Sequence, residues 1–192
     1  MKRIAHTILI AAATLTIGLA QAQTVTVGGQ AMYPTKNIVE NAVNSADHTT
    51  LVSAVQAAGL VEALKGKGPL TVFAPVNAAF NAVPQETLAA LLKPANKPAL
   101  TRILTYHVVA GKYDFNALEA LIKKGKGTAT LKTLNGDNLT VMKNGEHNIQ
   151  IKDTKGTVAN ITTYDVYQSN GVIHVLDKIV MPQDIGTLSM ND

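Results

Sequence analysis

The chain predicts an α+β fold, with several helices packed mainly from the N-terminal half against a largely antiparallel sheet system. Three observations carry this. Apolar residues recur at helical spacing through much of residues 37–122. From Thr128 onward short alternating runs replace them, broken by Asn135-Gly136, Asn144-Gly145 and Asn170-Gly171, each a hairpin signal. No repeat or linker separates the two halves.

Taken in order, the first segment is an address. Lys2 and Arg3 precede an apolar stretch from Ile4 to Leu19, closed by Ala20-Gln21-Ala22. That is the pattern of a cleavable signal peptide over residues 1–22, cut near Ala22, and it predicts a secreted or periplasmic protein. The run is short for a membrane span of about 20 apolar residues. Residues 23–36 read as a short leader, ordered only in part.

A helix is expected over Asn37 to Val43, and another beyond Asp47, the expected N-cap, through Leu51, Val52 and Val55 to the break at Gly59. Leu60 to Leu64 continues as helix before Gly66 and Gly68 stop it. Pro69 to Ala74 alternates as a buried strand that Pro75 ends. Helical patches follow at Asn77 to Ala82, Glu86 to Leu92 and Leu100 to Leu104. Tyr106 to Ala110 reads as an apolar strand. Asp114 is placed to cap a last helix bearing Phe115, Leu118, Leu121 and Ile122. The strands of the second half are read at 131–134, 139–142, 149–151, 158–161, 164–167 and 172–180.

Composition narrows function mainly by exclusion. The chain has no cysteine, so thiol chemistry, disulfides and cysteine metal sites are ruled out. Without Lys2 and Arg3, 15 basic side chains face 13 acidic ones, too slight an excess to argue for nucleic acid. Lys123, Lys124 and Lys126 read as a helix end with a solvated turn, with a patch for an anionic polysaccharide as the other reading. Ser45, Ser53, Ser169 and Ser189 lie in no nucleophile motif, and His48, His107, His147 and His174 are scattered without metal-ligand spacing. Asp137 and Asp153 sit near turns, where aspartate usually serves the backbone. The expectation is a non-enzymatic protein with no cofactor and no metal. His107 has two readings, a buried histidine pinning two elements or part of a recognition surface with Tyr106. For His174, between Ile173 and Val175, the buried reading is stronger.

Three segments, in order, resemble the fasciclin domain family: Gly68-Pro-Leu-Thr-Val-Phe-Ala-Pro-Val-Asn-Ala-Ala-Phe80, Leu104-Thr-Tyr-His-Val-Val-Ala-Gly111 and Asn170-Gly-Val-Ile-His-Val-Leu-Asp177. The chain thus resembles a single-domain exported bacterial member, with the domain over 37–182 and a C-terminal tail over 183–192. His48 departs from the family pattern, standing where an aromatic is common. The resemblance implies a wedge of two β-sheets with helices packed on it. Within it Phe73, Ala74, Pro75, Asn77, Phe80, Asn170, Gly171 and His174 keep the fold, Asn77 by capping the helix it opens. It also implies adhesion: binding to a surface protein, a matrix component or a polysaccharide. The residues expected at that surface are Tyr106, His107, Tyr113, Tyr164 and Tyr167, the tyrosines being suited to interfaces. A second reading is a carrier of a small apolar ligand, held in a pocket between helices and sheet. Its motivation is a chain 46% hydrophobic but only 4% aromatic.

Overall fold

The structure is a computed structural model that describes residues 24–186, 188 and 189. The expected signal peptide lies outside the described residues. Within the expected leader, residues 25–32 are ordered as part of the fold. Strands β1 (Val25–Val27) and β2 (Gln30–Met32) form a hairpin, and Val27 and Met32 are buried in the main core. Its turn needs Gly28, at φ +59°, because a Cβ there would lie 2.6 Å from Ser45 Oγ.

Helix α1 (Ile38–Ala42) opens with a capping box. Asn37 accepts from the Glu40 amide and the Glu40 carboxylate accepts from the Asn37 amide. A 3-10 turn at Ala46–His48 leads into α2 (Thr49–Ala58), which stops at Gly59 with φ +71°. The expected cap, Asp47, lies inside that turn. Asn77, 27 residues onward, instead accepts from the Thr50 amide at 3.0 Å. Asn77 therefore caps α2, not the helix it begins, a role that chain distance hides from the sequence.

Helix α3 (Val61–Lys65) is followed by β3 (Leu70–Pro75), α4 (Asn77–Phe80), α5 (Gln85–Leu91) and α6 (Lys97–Tyr106). Helix α6 runs through Tyr106 and ends on His107, so the strand expected from Tyr106 is only β4 (Val108–Ala110). The helical ladder continues because it places Tyr106 in the core. Helix α7 (Phe115–Lys124) is capped as expected, Asp114 accepting from the Ala117 amide at 3.0 Å.

The remaining strands are β5 (Thr128–Lys132), β6 (Asn138–Asn144), β7 (Asn148–Lys152), β8 (Val158–Gln168) and β9 (Gly171–Leu176). Their order is β4-β3-β9-β8-β7-β6-β5, with β3 parallel to β9 and every other pair antiparallel. The two expected sheets are the two halves of this series, joined by β8. Its first residues pair with β7 and its later ones with β9. Register shifts lie between, and Asp165 takes a left-handed φ of +55° there.

Alternation along β3 and β9 feeds two cores. Val72, Ala74, Ile173 and Val175 face the core built with α1, α2 and α6. Phe73 and Leu176 face a second core shared with α7 and β5 to β7. Beyond the expected domain end, Ser189 is held against the fold: Asn96 exchanges two hydrogen bonds with its backbone, at 2.8 and 2.9 Å.

Candidate binding site

The residues expected at one recognition surface divide in two. Tyr106 is 0% exposed and His107 3%. The Tyr106 hydroxyl donates to the Asn138 carbonyl at 2.9 Å. His107 Nδ1 lies 2.8 Å from the Ile103 carbonyl, and its Nε2 accepts from the Val180 amide at 3.4 Å. That pairing fixes a neutral ring with the proton on Nδ1, and burial pushes its pKa down to about 4. Neither side chain is presented to a partner. The recognition surface is thereby corrected to an interior clamp between α6 and the chain after β9, and the buried reading of His107, a ring pinning two elements, holds.

Tyr113 and Tyr164 meet at buried His174, and Tyr167 lies apart, against Asp114 and Lys112. His174 Nε2 lies 2.7 Å from the Tyr113 carbonyl and its Nδ1 accepts from the Asp165 amide at 3.4 Å. Burial lowers its pKa, and Phe73 stacks on its ring at 5.7 Å. Tyr164 packs edge-on against Phe115, and its hydroxyl accepts from the Ile149 amide at 2.7 Å. Half-buried Tyr167 meets Asp114 through its hydroxyl, and its ring carries Lys112 Nζ 4.5 Å from the centroid.

That cation–π pair has a counterpart which sequence reasoning missed. Lys36 Nζ sits 5.2 Å from the centroid of Tyr33, whose side chain is 45% exposed. The Ser169 amide donates to the Lys36 carbonyl, which ties this pair to the β8–β9 turn. The same turn borders a polar cleft of about 520 Å³ lined by Lys65, Lys67, Lys112, Ser169 and Asn170. Two tyrosine rings and four lysines thus converge on one turn, drawn from four separate stretches of chain. No spacing in the sequence signals it, because Lys112 and Tyr167 are brought together only by the fold.

A second feature is internal. Between α1 to α3 and the face of β3 and β9 lies a cavity of about 380 Å³ walled mainly by aliphatic side chains. This is the kind of pocket the carrier reading requires. Two of the most exposed large apolar residues, Val43 and Leu134, line its edge. His48 lies in its wall. Among the described residues no group of three or more His, Asp or Glu is placed to hold a metal ion. Asp153 uses its carboxylate on the amides of Lys155, Thr157 and Met181.

The fasciclin domain model matches residues 46–182. Protein sll1483 of Synechocystis sp. is 45% identical over 147 residues, covering 76% of this chain and 73% of that protein. Transforming growth factor-beta-induced protein ig-h3 of Sus scrofa is 38% identical over 133 residues, 69% of this chain but 17% of that longer protein. The solved FAS1 domain pair of the insect cell adhesion molecule fasciclin I superposes with a TM-score of 0.67 at 16% identity, over 76% of this chain and 51% of that one.

Proposed function

Since this chain belongs to the fasciclin domain family, we propose that it acts as an exported, non-enzymatic adhesion module that binds a surface or matrix partner, best an acidic polysaccharide. The observation that carries this is the pair of lysine-capped tyrosines, Tyr33 with Lys36 and Tyr167 with Lys112, beside the β8–β9 turn. Flat aromatic faces suit sugar rings. The ammonium groups of Lys65 and Lys67 in the adjoining cleft suit carboxylates or sulfates along a chain. Asn170 and Ser169 add polar groups that meet hydroxyls. Export is part of this reading and is supported by the Lys2-Arg3 start and the apolar run that follows.

The test is a binding panel with the exported protein: alginate and hyaluronate as acidic polysaccharides, dextran as a neutral one, and immobilised matrix proteins. The reading expects saturable binding to the acidic chains, little to dextran, and loss of binding near 1 M salt, where the screening length is about 3 Å. Equal binding to dextran, or none to either acidic chain, refutes it.

A further inference from the structure

The Asn-Gly pairs at Asn135, Asn144 and Asn170 mark turns, and as sequence they are equivalent. Each is open to the same chemistry. The glycine amide nitrogen can attack the asparagine Cγ, because glycine brings no side chain to hinder the approach. The fold separates the three.

At Asn135-Gly136 both reacting groups are engaged. Asn135 Oδ1 accepts from the Thr133 hydroxyl at 2.6 Å and from the Asp137 amide at 2.8 Å, and its Nδ2 donates to the Asp137 carboxylate at 3.1 Å. The Gly136 amide donates to the Thr133 carbonyl at 3.0 Å. At Asn170-Gly171 the side chain is bonded to the Ile38 amide and to the Leu64 and Gly66 carbonyls. Gly171 is fixed inside the sheet, paired with Leu70 of β3 and Gln168 of β8.

Asn144-Gly145 is built differently. It stands at the tip of the β6–β7 hairpin, where every residue from Asn144 to Asn148 is exposed. Asn144 pairs with Asn148 in the last rung of the ladder, and Gly145 lies past it with φ +79°. Among the described residues no hydrogen bond holds the Asn144 side-chain amide. A Cβ placed on Gly145 would meet nothing within 4 Å, so the turn leaves room for a ring to close.

We propose that Asn144 is a site of covalent self-modification in the folded protein, by deamidation through a cyclic imide. The Gly145 nitrogen gives its proton to solvent and bonds to Asn144 Cγ. The Cγ–Nδ2 bond breaks, and ammonia leaves after taking a proton from water. Water then opens the imide, at one carbonyl to give aspartate and at the other to give isoaspartate. One water is consumed and one ammonia released, with no oxidant, reductant or cofactor. The product sets a carboxylate, ionised at neutral pH, near Glu146 and beside Lys143, which pairs with Glu119. The isoaspartate form also lengthens the main chain by one carbon and so displaces the Asn144–Asn148 rung. This inference stands apart from the polysaccharide surface, which lies on the β8–β9 turn.

The experiment holds the folded protein in warm, mildly alkaline buffer, beside a sample unfolded in guanidinium chloride. Each Asn-Gly pair is followed by peptide mapping with mass spectrometry, and isoaspartate by enzymatic methyl labelling. In the folded protein Asn144 is converted at least about ten-fold faster than Asn135 or Asn170, which react only after local opening of the bonds that hold them. In the unfolded protein the three convert at similar rates. Asn144→Gln, an exposed substitution that would have to close a larger ring, removes most of the isoaspartate that the folded protein accumulates. The proposal is overturned if Asn144 converts no faster than the other two in the folded protein, or stays intact while the unfolded sample reacts. Undiminished isoaspartate in a folded Asn144→Gln protein overturns it as well.

Discussion

Asn170 Oδ1 accepts the amide hydrogen of Ile38 at 3.0 Å, across 132 residues of chain. The same side chain donates through Nδ2 to the carbonyls of Leu64 and Gly66, at 2.8 and 3.0 Å. One amide therefore ties the start of α1, the end of α3 and the β8–β9 turn into a single unit. It satisfies a helix N-terminal donor and two carbonyls around a helix end, which have no partner within the helices. The proposed surface rests on this staple, because Lys65, Lys67 and Lys36 are all positioned by the segments it joins.

Asn170→Ala removes three hydrogen bonds and is expected to destabilise the protein by about 2–3 kcal/mol. Asn170→Asp keeps the acceptor for Ile38 but sets a carboxylate against two carbonyl oxygens, so it should rescue little. Urea unfolding midpoints check both.

Gly171→Ala is expected to be far more damaging. Gly171 has no left-handed φ, contrary to what a hairpin glycine suggests; it is required by proximity. A Cβ there would lie 2.0 Å from the Leu70 carbonyl oxygen, in the parallel pairing of β3 with β9. The strands must part for it to fit. A loss above about 4 kcal/mol, or failure to fold, is expected in a thermal melt.

These two residues show what the sequence made legible and what it did not. Asn-Gly between alternating apolar runs marks a turn correctly, and Pro75, Gly59 and Asp114 end or begin the elements that local rules assign them. Those rules act over a few residues. The tie from Asn170 to Ile38, the capping of α2 by Asn77 and the approach of Gly171 to Leu70 all join distant stretches, so no local pattern carries them. The choice between the buried and the surface reading of Tyr106 and His107 stayed open in the sequence for a related reason. An apolar run after a helix reads equally as a strand or as the helix's last turn, and only packing decides which way the ring faces. The hairpin of residues 25–32 was missed because it is two short strands of mixed polarity whose burial comes from the helices it meets.

Asn77→Ala should cost about 2–3 kcal/mol, because besides capping Thr50 the side chain donates to the Ala46 carbonyl and the Thr49 hydroxyl. Asn77→Asp keeps the cap acceptor but sets a carboxylate against the Ala46 carbonyl, so it should restore the cap without restoring the full stability. Amide exchange at Thr50 reports the cap directly: it quickens in the alanine variant and is nearly unchanged in the aspartate variant.

Acid should weaken the fold through its buried histidines. His107 is held neutral, its pKa lowered from 6.5 to about 4 by burial, and burial also lowers those of His48 and His174. The unfolded chain takes up protons first as pH falls below 6.5, so stability is lost from there downward. For His107 the loss is about 1.4 kcal/mol per pH unit, on the order of 3 kcal/mol by pH 4. Above pH 7 the histidines contribute no slope. Urea midpoints from pH 8 to 4 should be flat and then fall. A profile level down to pH 4 would show that these rings are not held neutral.

The most direct measurement is the affinity of the protein for alginate, compared between wild type and a Tyr33→Ala/Tyr167→Ala variant with an unchanged unfolding midpoint. The account expects a loss of at least about ten-fold, since tyrosines at the centre of an interface carry much of its energy. Equal affinity in the two proteins would place recognition away from the β8–β9 turn and contradict the function proposed for it.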